Sequence, residues 1–189
     1  MSTRSVIARP TDTGYAGTYV HWDGYPSHHL PLLLAAHQYT FGSDTEALAR
    51  YLIDDAPEGW SFLGTDLLVN APGLLRDTLP RGHHEPGRRY PEHSPGEHLV
   101  ITERTASRLD WGYVLHPQGI EVISAPGTAR GPIVAWGTDP RARFRDTASL
   151  WRPDRPIPAT TPPQSIARTT APAPAQPSPA AATPRPRSH

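Results

Sequence analysis

The 189-residue chain has no cysteine and no lysine. Without cysteine there are no disulfides, thiolate nucleophiles, Cys-ligated zinc sites or iron–sulfur clusters. The 18 basic residues are all Arg, which beside the abundant Ala, Pro and Gly points to a high-GC bacterial coding sequence and not to a particular chemistry. Long apolar runs are also missing. The longest, Leu30 to Ala36, contains Pro31 and falls far short of the roughly 20 residues of a membrane span. The opening Met1-Ser-Thr-Arg-Ser has no apolar core of a signal peptide, so a soluble cytoplasmic protein with no membrane partner is expected. No GxSxG elbow, phosphate-binding Walker loop, GxGxxG after a strand, HExxH or calcium loop occurs, which leans away from an enzyme.

What is present is unevenly placed. Eleven of the 24 prolines follow Leu150, in a stretch otherwise made of Ala, Thr, Ser, Gln and Arg. Such a stretch buries too little apolar surface to offset the entropy of ordering. We therefore expect a compact domain over residues 1–145 and a disordered tail over 146–189. Residues 1–150 hold 13 Arg against 17 acidic residues, a net charge of −4 that the tail's arginines conceal in the overall zero. A duplex-binding domain draws its affinity from phosphate neutralisation and shows the opposite balance, so nucleic acid is not the favoured partner.

Short β-prone runs at Ser5–Arg9 and Thr18–Trp22, parted by turn-rich residues 10–17, predict an N-terminal hairpin with a long loop. Leu30, Leu33, Leu34 and His37 at helical spacing predict a helix over about 29–39, with Pro31 in its first turn. Ser43 and Glu46 form a capping box ahead of Ala47, Leu48, Tyr51 and Leu52, which share one face of a second helix. Residues 57–98 are interrupted by Gly and Pro every few positions and read as irregular, with room for a short strand or helical turn. Strand signals return at 99–102, 111–115, 120–123 and 133–136, the middle two joined as a hairpin. The fold class is α+β: a small antiparallel sheet, made of the N-terminal hairpin and the C-terminal strands, packed with two helices.

The densest group of functional side chains is His21-Trp-Asp-Gly-Tyr-Pro-Ser-His-His29. If strand alternation persists to the end of the second strand, Tyr19, His21 and Asp23 share a face. His21, Trp22, Asp23, Tyr25 and His28 are then candidate ligand-binding residues. No cofactor is expected from composition, but a divalent metal on His21, Asp23 and His28 is chemically admissible, as is a His21–Asp23 acid/base pair. The plainer alternative has Trp22 and Tyr25 filling the core, Asp23-Gly24 turning the chain, and the histidines exposed or hydrogen-bonded. His83, His84, His93 and His98 form a second, more dispersed group. Arg141, Arg143 and Arg145 alternate with Ala142 and Phe144 and suit a phosphate or acidic partner, or a solvated domain edge. Pro172-Ala-Pro and Pro184-Arg-Pro-Arg in the tail suit polyproline II structure, as a spacer or a weak docking segment.

Met1-Ser-Thr-Arg-Ser-Val-Ile, followed by Tyr19-Val-His-Trp-Asp-Gly-Tyr-Pro-Ser27, resembles a family of short uncharacterised bacterial, phage and plasmid proteins that open MSTRSxI and carry HWDGYPS after a first hairpin. Trp60 and Gly112–His116 fit its looser C-terminal pattern. Many relatives have Cys where this chain has Tyr19. The resemblance implies a mobile-element or accessory setting and no particular activity. The expected function is an accessory protein binding a protein or small ligand through the HWDGYPSHH region. The alternatives are a small metal-dependent hydrolase or nuclease using His21, Asp23 and His28, and a nucleic-acid-associated protein using the Arg-rich end and tail.

Overall fold

A computed structural model of the chain describes residues 3–79, 85–90, 100–125 and 130–160. Its strands are β1 (Ser5–Thr11), β2 (Gly14–Val20), β3 (Trp60–Phe62), β4 (Arg88–Arg89), β5 (Val100–Thr102), β6 (Trp111–His116), β7 (Gly119–Ser124), β8 (Ile133–Ala135), β9 (Arg143–Phe144) and β10 (Ala159–Thr160). The first hairpin pairs from Ser5↔Val20 to Thr11↔Gly14, leaving only Asp12 and Thr13 in the turn. The expected long loop is absent because Gly14, at φ +138°, adopts backbone angles that side chains resist and lets pairing run to the tip.

One eight-stranded sheet follows the order β4-β3-β2-β1-β6-β7-β8, with β5 also paired to β2. The α+β class holds, but the sheet is large and mixed, not small and antiparallel. β1 runs parallel to β6 and β2 parallel to β3, while the remaining pairs are antiparallel. Parallel neighbours require a long crossover, and here the helices between β2 and β3 supply one of them. β1 lies inside the sheet and is buried on both faces. Ile7 packs towards the helices with Val20, Leu33, Leu48 and Tyr113, while Val6 and Ala8 join Tyr15, Ala106, Val114 and Ile123 on the other side.

The first helix, α1 (Pro26–Ala35), continues into a π-helical turn over Ala36–Thr40. It starts three residues earlier than its apolar period suggests, because Pro26 supplies the fixed φ favoured in a first turn. Pro31 is consequently inside the helix rather than in its first turn. The second, α2 (Thr45–Ala49), also runs on as a π-helical turn, Arg50–Asp54. Its cap is Asp44, whose carboxylate accepts from the Glu46 and Ala47 amides at 2.9 Å each. Ser43, the expected cap, takes a left-handed φ of +66° and is spent on turning the chain. Within the stretch expected to be irregular lie β3, β4 and the six-residue helix α3 (Gly73–Thr78). No helix among the described residues is long and apolar enough to cross a membrane.

Residues 146–160, expected to begin the tail, are instead tied to the domain. Trp151 is 2% exposed, packs near Trp111 and Phe144, and donates its indole N–H to the Arg145 carbonyl at 2.7 Å. β10 then pairs with β9 through Ala159↔Phe144. Packed structure therefore continues from the boundary expected at 145 through Thr160, since one buried indole outweighs the polar composition around it. The rest of the expected tail, residues 161–189, lies outside the described residues. Trp151→Ala should lower unfolding free energy by about 3–5 kcal/mol in urea denaturation, the usual cost of deleting a buried Trp. An unchanged midpoint would show that this segment contributes nothing to the core.

Candidate functional site

The HWDGYPSHH segment divides into an outer and an inner half. β2 ends at Val20, but His21 and Trp22 still donate backbone hydrogen bonds to the Trp60 and Ser61 carbonyls at 2.9 and 2.8 Å. Alternation then stops at Asp23, whose φ of +57° is left-handed. Asp adopts this conformation more readily than most residues. The strand geometry that would have aligned the His21 imidazole with the Asp23 carboxylate therefore ends one residue too soon.

On the outer half, the Tyr19 hydroxyl and His21 Nδ1 are 2.8 Å apart, and the imidazole stacks on Tyr90 with ring centroids at 5.0 Å. Trp22 stands edge-on to His21 at 4.5 Å. Its ring is 44% exposed, so the expectation that Trp22 fills the core is corrected. Asp23 accepts a 2.9 Å hydrogen bond from the Tyr25 hydroxyl. That bond is the leading cause of a raised Tyr25 pKa, since it favours the protonated phenol.

The inner half is part of the fold. Gly24 donates to the Thr3 carbonyl at 2.9 Å, and its own carbonyl accepts the Tyr113 hydroxyl at 2.7 Å. A Cβ at Gly24 would stand 2.7 Å from both Cβ and Oγ of Ser5. Tyr25, in extended conformation, caps α1, and Pro26 opens it. The Ser27 amide and hydroxyl both donate to Asp146, at 2.9 and 2.8 Å, tying the C-terminal segment to the start of α1. His28 and His29 point inwards. Their Nδ1 atoms are 3.3 Å apart, and His29 Nε2 lies 3.2 Å from Ser5 Oγ. His29 is fully buried and tilted against the Tyr113 ring. Burial lowers its pKa well below the ordinary value, the neighbouring His28 adds to this, and a hydrogen bond with the Asp23 backbone opposes it. Tyr113 is likewise held well above its ordinary pKa, first by burial and then by the Asp146 charge.

Among the described residues, no three His, Asp or Glu side chains are grouped so as to hold a metal ion. The set His21, Asp23 and His28 is not assembled: the first faces Tyr90, the second the Tyr25 hydroxyl, and the third His29. His83, His84, His93 and His98 lie outside the described residues.

Two polar features escaped sequence reasoning. Glu121 on β7 is 3% exposed, on the sheet face away from the helices, and accepts from Arg130 Nε and Nη2 at 2.8 and 2.6 Å and from the Gly131 amide at 3.0 Å. His116 Nε2 lies 3.1 Å from the same carboxylate. The available signal was a lone Glu between Ile120 and Val122 in an apolar strand. Beside this cluster, burial and the Glu103 carboxylate push the Tyr15 phenol up to about 12. The second feature is His37, which stacks on Trp136 at 4.0 Å and bonds with Thr45 at 3.1 Å. Its pKa is lowered, chiefly by burial.

Comparison with protein-family models, with curated proteins and with solved structures gives no match. The site is therefore interpreted from its own geometry.

Two outcomes follow from the inner half. Gly24→Ala should destabilise the fold by about 1–3 kcal/mol, the usual cost of overpacking, readable as a lowered denaturation midpoint; a neutral substitution would contradict the close approach to Ser5. Stability should also fall with pH below about 6.5, where unfolded His29 takes up a proton that the buried imidazole resists. The slope contributed by His29 is at most about 1.4 kcal/mol per pH unit and operates between about pH 6.5 and the depressed folded value; above pH 6.5 the stability is retained in full. His29→Gln should flatten that slope in urea titrations from pH 7.5 to 5. An equally steep slope in the variant would place the pH dependence elsewhere.

Proposed function

We propose that the chain is a cytoplasmic, non-catalytic accessory protein that binds a partner through the surface at the exit of β2, formed by His21, Trp22, Asp23 and Tyr25 with Tyr19 and Tyr90. The observation that carries this reading is Trp22: an indole 44% exposed, yet held edge-on to an imidazole that is itself stacked on Tyr90. Large exposed aromatics of restricted motion are characteristic of binding hot spots, where little entropy remains to be lost on association. A ring projecting from the end of an inner strand suits insertion into a pocket on another protein better than enclosure of a small ligand. His28, buried against His29, is left out of this surface.

The mobile-element setting implied by the opening segments is compatible with such a role. The metal-dependent hydrolase reading has no assembled ligand set to build on among the described residues. The nucleic-acid reading retains Arg143 and Arg145 as exposed cations, but Arg141 is engaged by Asp139.

Peptide ligands selected on the full-length protein by phage display provide a test. Trp22→Ala should weaken them about 30-fold, the equivalent of a 2 kcal/mol hot spot, while the thermal midpoint stays within about 2 °C of the parent. Ligands that bind the variant with unchanged affinity would refute the assignment of this surface.

A further inference from the structure

We propose that the cavity between α1 and residues 140–144 binds a small amphipathic anion: an apolar body ending in a carboxylate or a phosphate. The cavity measures about 330 Å³, near the lower end of the roughly 300–1,000 Å³ typical of ligand pockets, so the ligand is small. Its wall is apolar, formed by Pro31 from α1, Leu79 just after α3, and Ala142 and Phe144 from the C-terminal segment. Arg141 and Arg143 also line it.

The alternation of Arg and apolar residues noted in the sequence builds this arrangement. Ala142 and Phe144 are buried while Arg141 and Arg143 are exposed, which sets two guanidinium groups beside an apolar floor. The segment is fixed at both ends. Asp139 chelates Arg141 through Nε and Nη2, the Ala142 amide closes a turn onto the Asp139 carbonyl, and Phe144 pairs with Ala159.

Of the two arginines that line the cavity, only one is ion-paired among the described residues. Asp139 neutralises Arg141, and the Asp146 oxygens both accept from Ser27 at the start of α1, where the helix dipole favours negative charge. Arg143 has no ion-pair partner among the described residues. An anionic headgroup therefore meets Arg143, with Arg141 as a weaker second contact. It is repelled from the Ser27 end by Asp146. The apolar body lies over Phe144 and Leu79. Arg suits either anion, since its planar fork matches both carboxylate and phosphate oxygens.

This site is independent of the surface at Trp22, and its test is separate. Octanoate, phenyl phosphate and the neutral analogue octan-1-ol are titrated into the full-length protein, followed by two-dimensional ¹H–¹⁵N NMR. The expected result is saturable shifts concentrated at the Ser27, Ala142, Arg143 and Phe144 amides for at least one anion, with octan-1-ol at least tenfold weaker. The tighter of the two anions then names the headgroup. Arg143→Glu should raise the Kd at least tenfold, whereas Arg143→Lys, which keeps the charge, should stay within about threefold. Equal binding of octanol and both anions, an unchanged Kd in Arg143→Glu, or shifts that miss Ser27, Ala142 and Phe144 would each overturn the proposal.

Discussion

Gly24 lies so close to β1 that its missing side chain is a structural requirement. With its N–H on Thr3 and its carbonyl on the Tyr113 hydroxyl, this residue ties the chain leaving β2 to the two strands at the centre of the sheet. The start of α1 is set by that contact, and so is the burial of His28 and His29 one turn later. The outer aromatic group depends on it as well. Trp22 is held in solvent because the two residues after it, Asp23 in a left-handed turn and Gly24 against Ser5, leave its backbone no other course.

The two buried polar centres solve the cost of desolvation differently. Glu121 is met by Arg130 with two nitrogens and by the Gly131 amide, and His116 Nε2 lies within hydrogen-bonding distance of the same carboxylate. A buried carboxylate so paired avoids most of the penalty of an isolated ion. His29 has no such partner: its contacts are a hydroxyl, another imidazole and backbone. It escapes the penalty by remaining neutral. One centre, on β7, is thus built on paired donors and the other, in α1, on charge avoidance.

Much of the architecture was legible locally. The hairpins β1–β2 and β6–β7 follow from alternation and turns, and α1 from the leucine spacing, because each is stabilised by contacts between residues near in sequence. The parallel pairing of β1 with β6 was not, since nothing local encodes a neighbour more than 100 residues away. Two errors were single-residue effects. Consecutive left-handed residues at Gly42 and Ser43 displaced the helix cap to Asp44, and a left-handed Asp23 broke the alternation on which the His21–Asp23 pair rested. Within the candidate segment Trp22 faces out and His28 in, against the readings that put Trp22 in the core and His28 on a binding surface. The reach of the domain past residue 145 was masked by composition. Trp151, a lone large apolar residue among Arg, Pro and Asp, was the available sign.

The placement of β1 also bears on how the chain is made. The strand is made before every other strand of the sheet, yet one of its two sheet neighbours, β6, is synthesised about 100 residues later, as the bond from the Arg4 amide to Asp110 illustrates across 106 positions. Contacts of such separation close slowly, because the loop entropy is lost before the contact repays it. Until then the apolar face of the first hairpin has only the helices to cover it. Ser27 waits longer still, for its partner at 146, and Phe144 pairs only once residue 159 is made. Nascent chains halted before Trp151 would thus hold a largely complete sheet with an unfinished core, the state in which this protein is most open to chaperones and proteases.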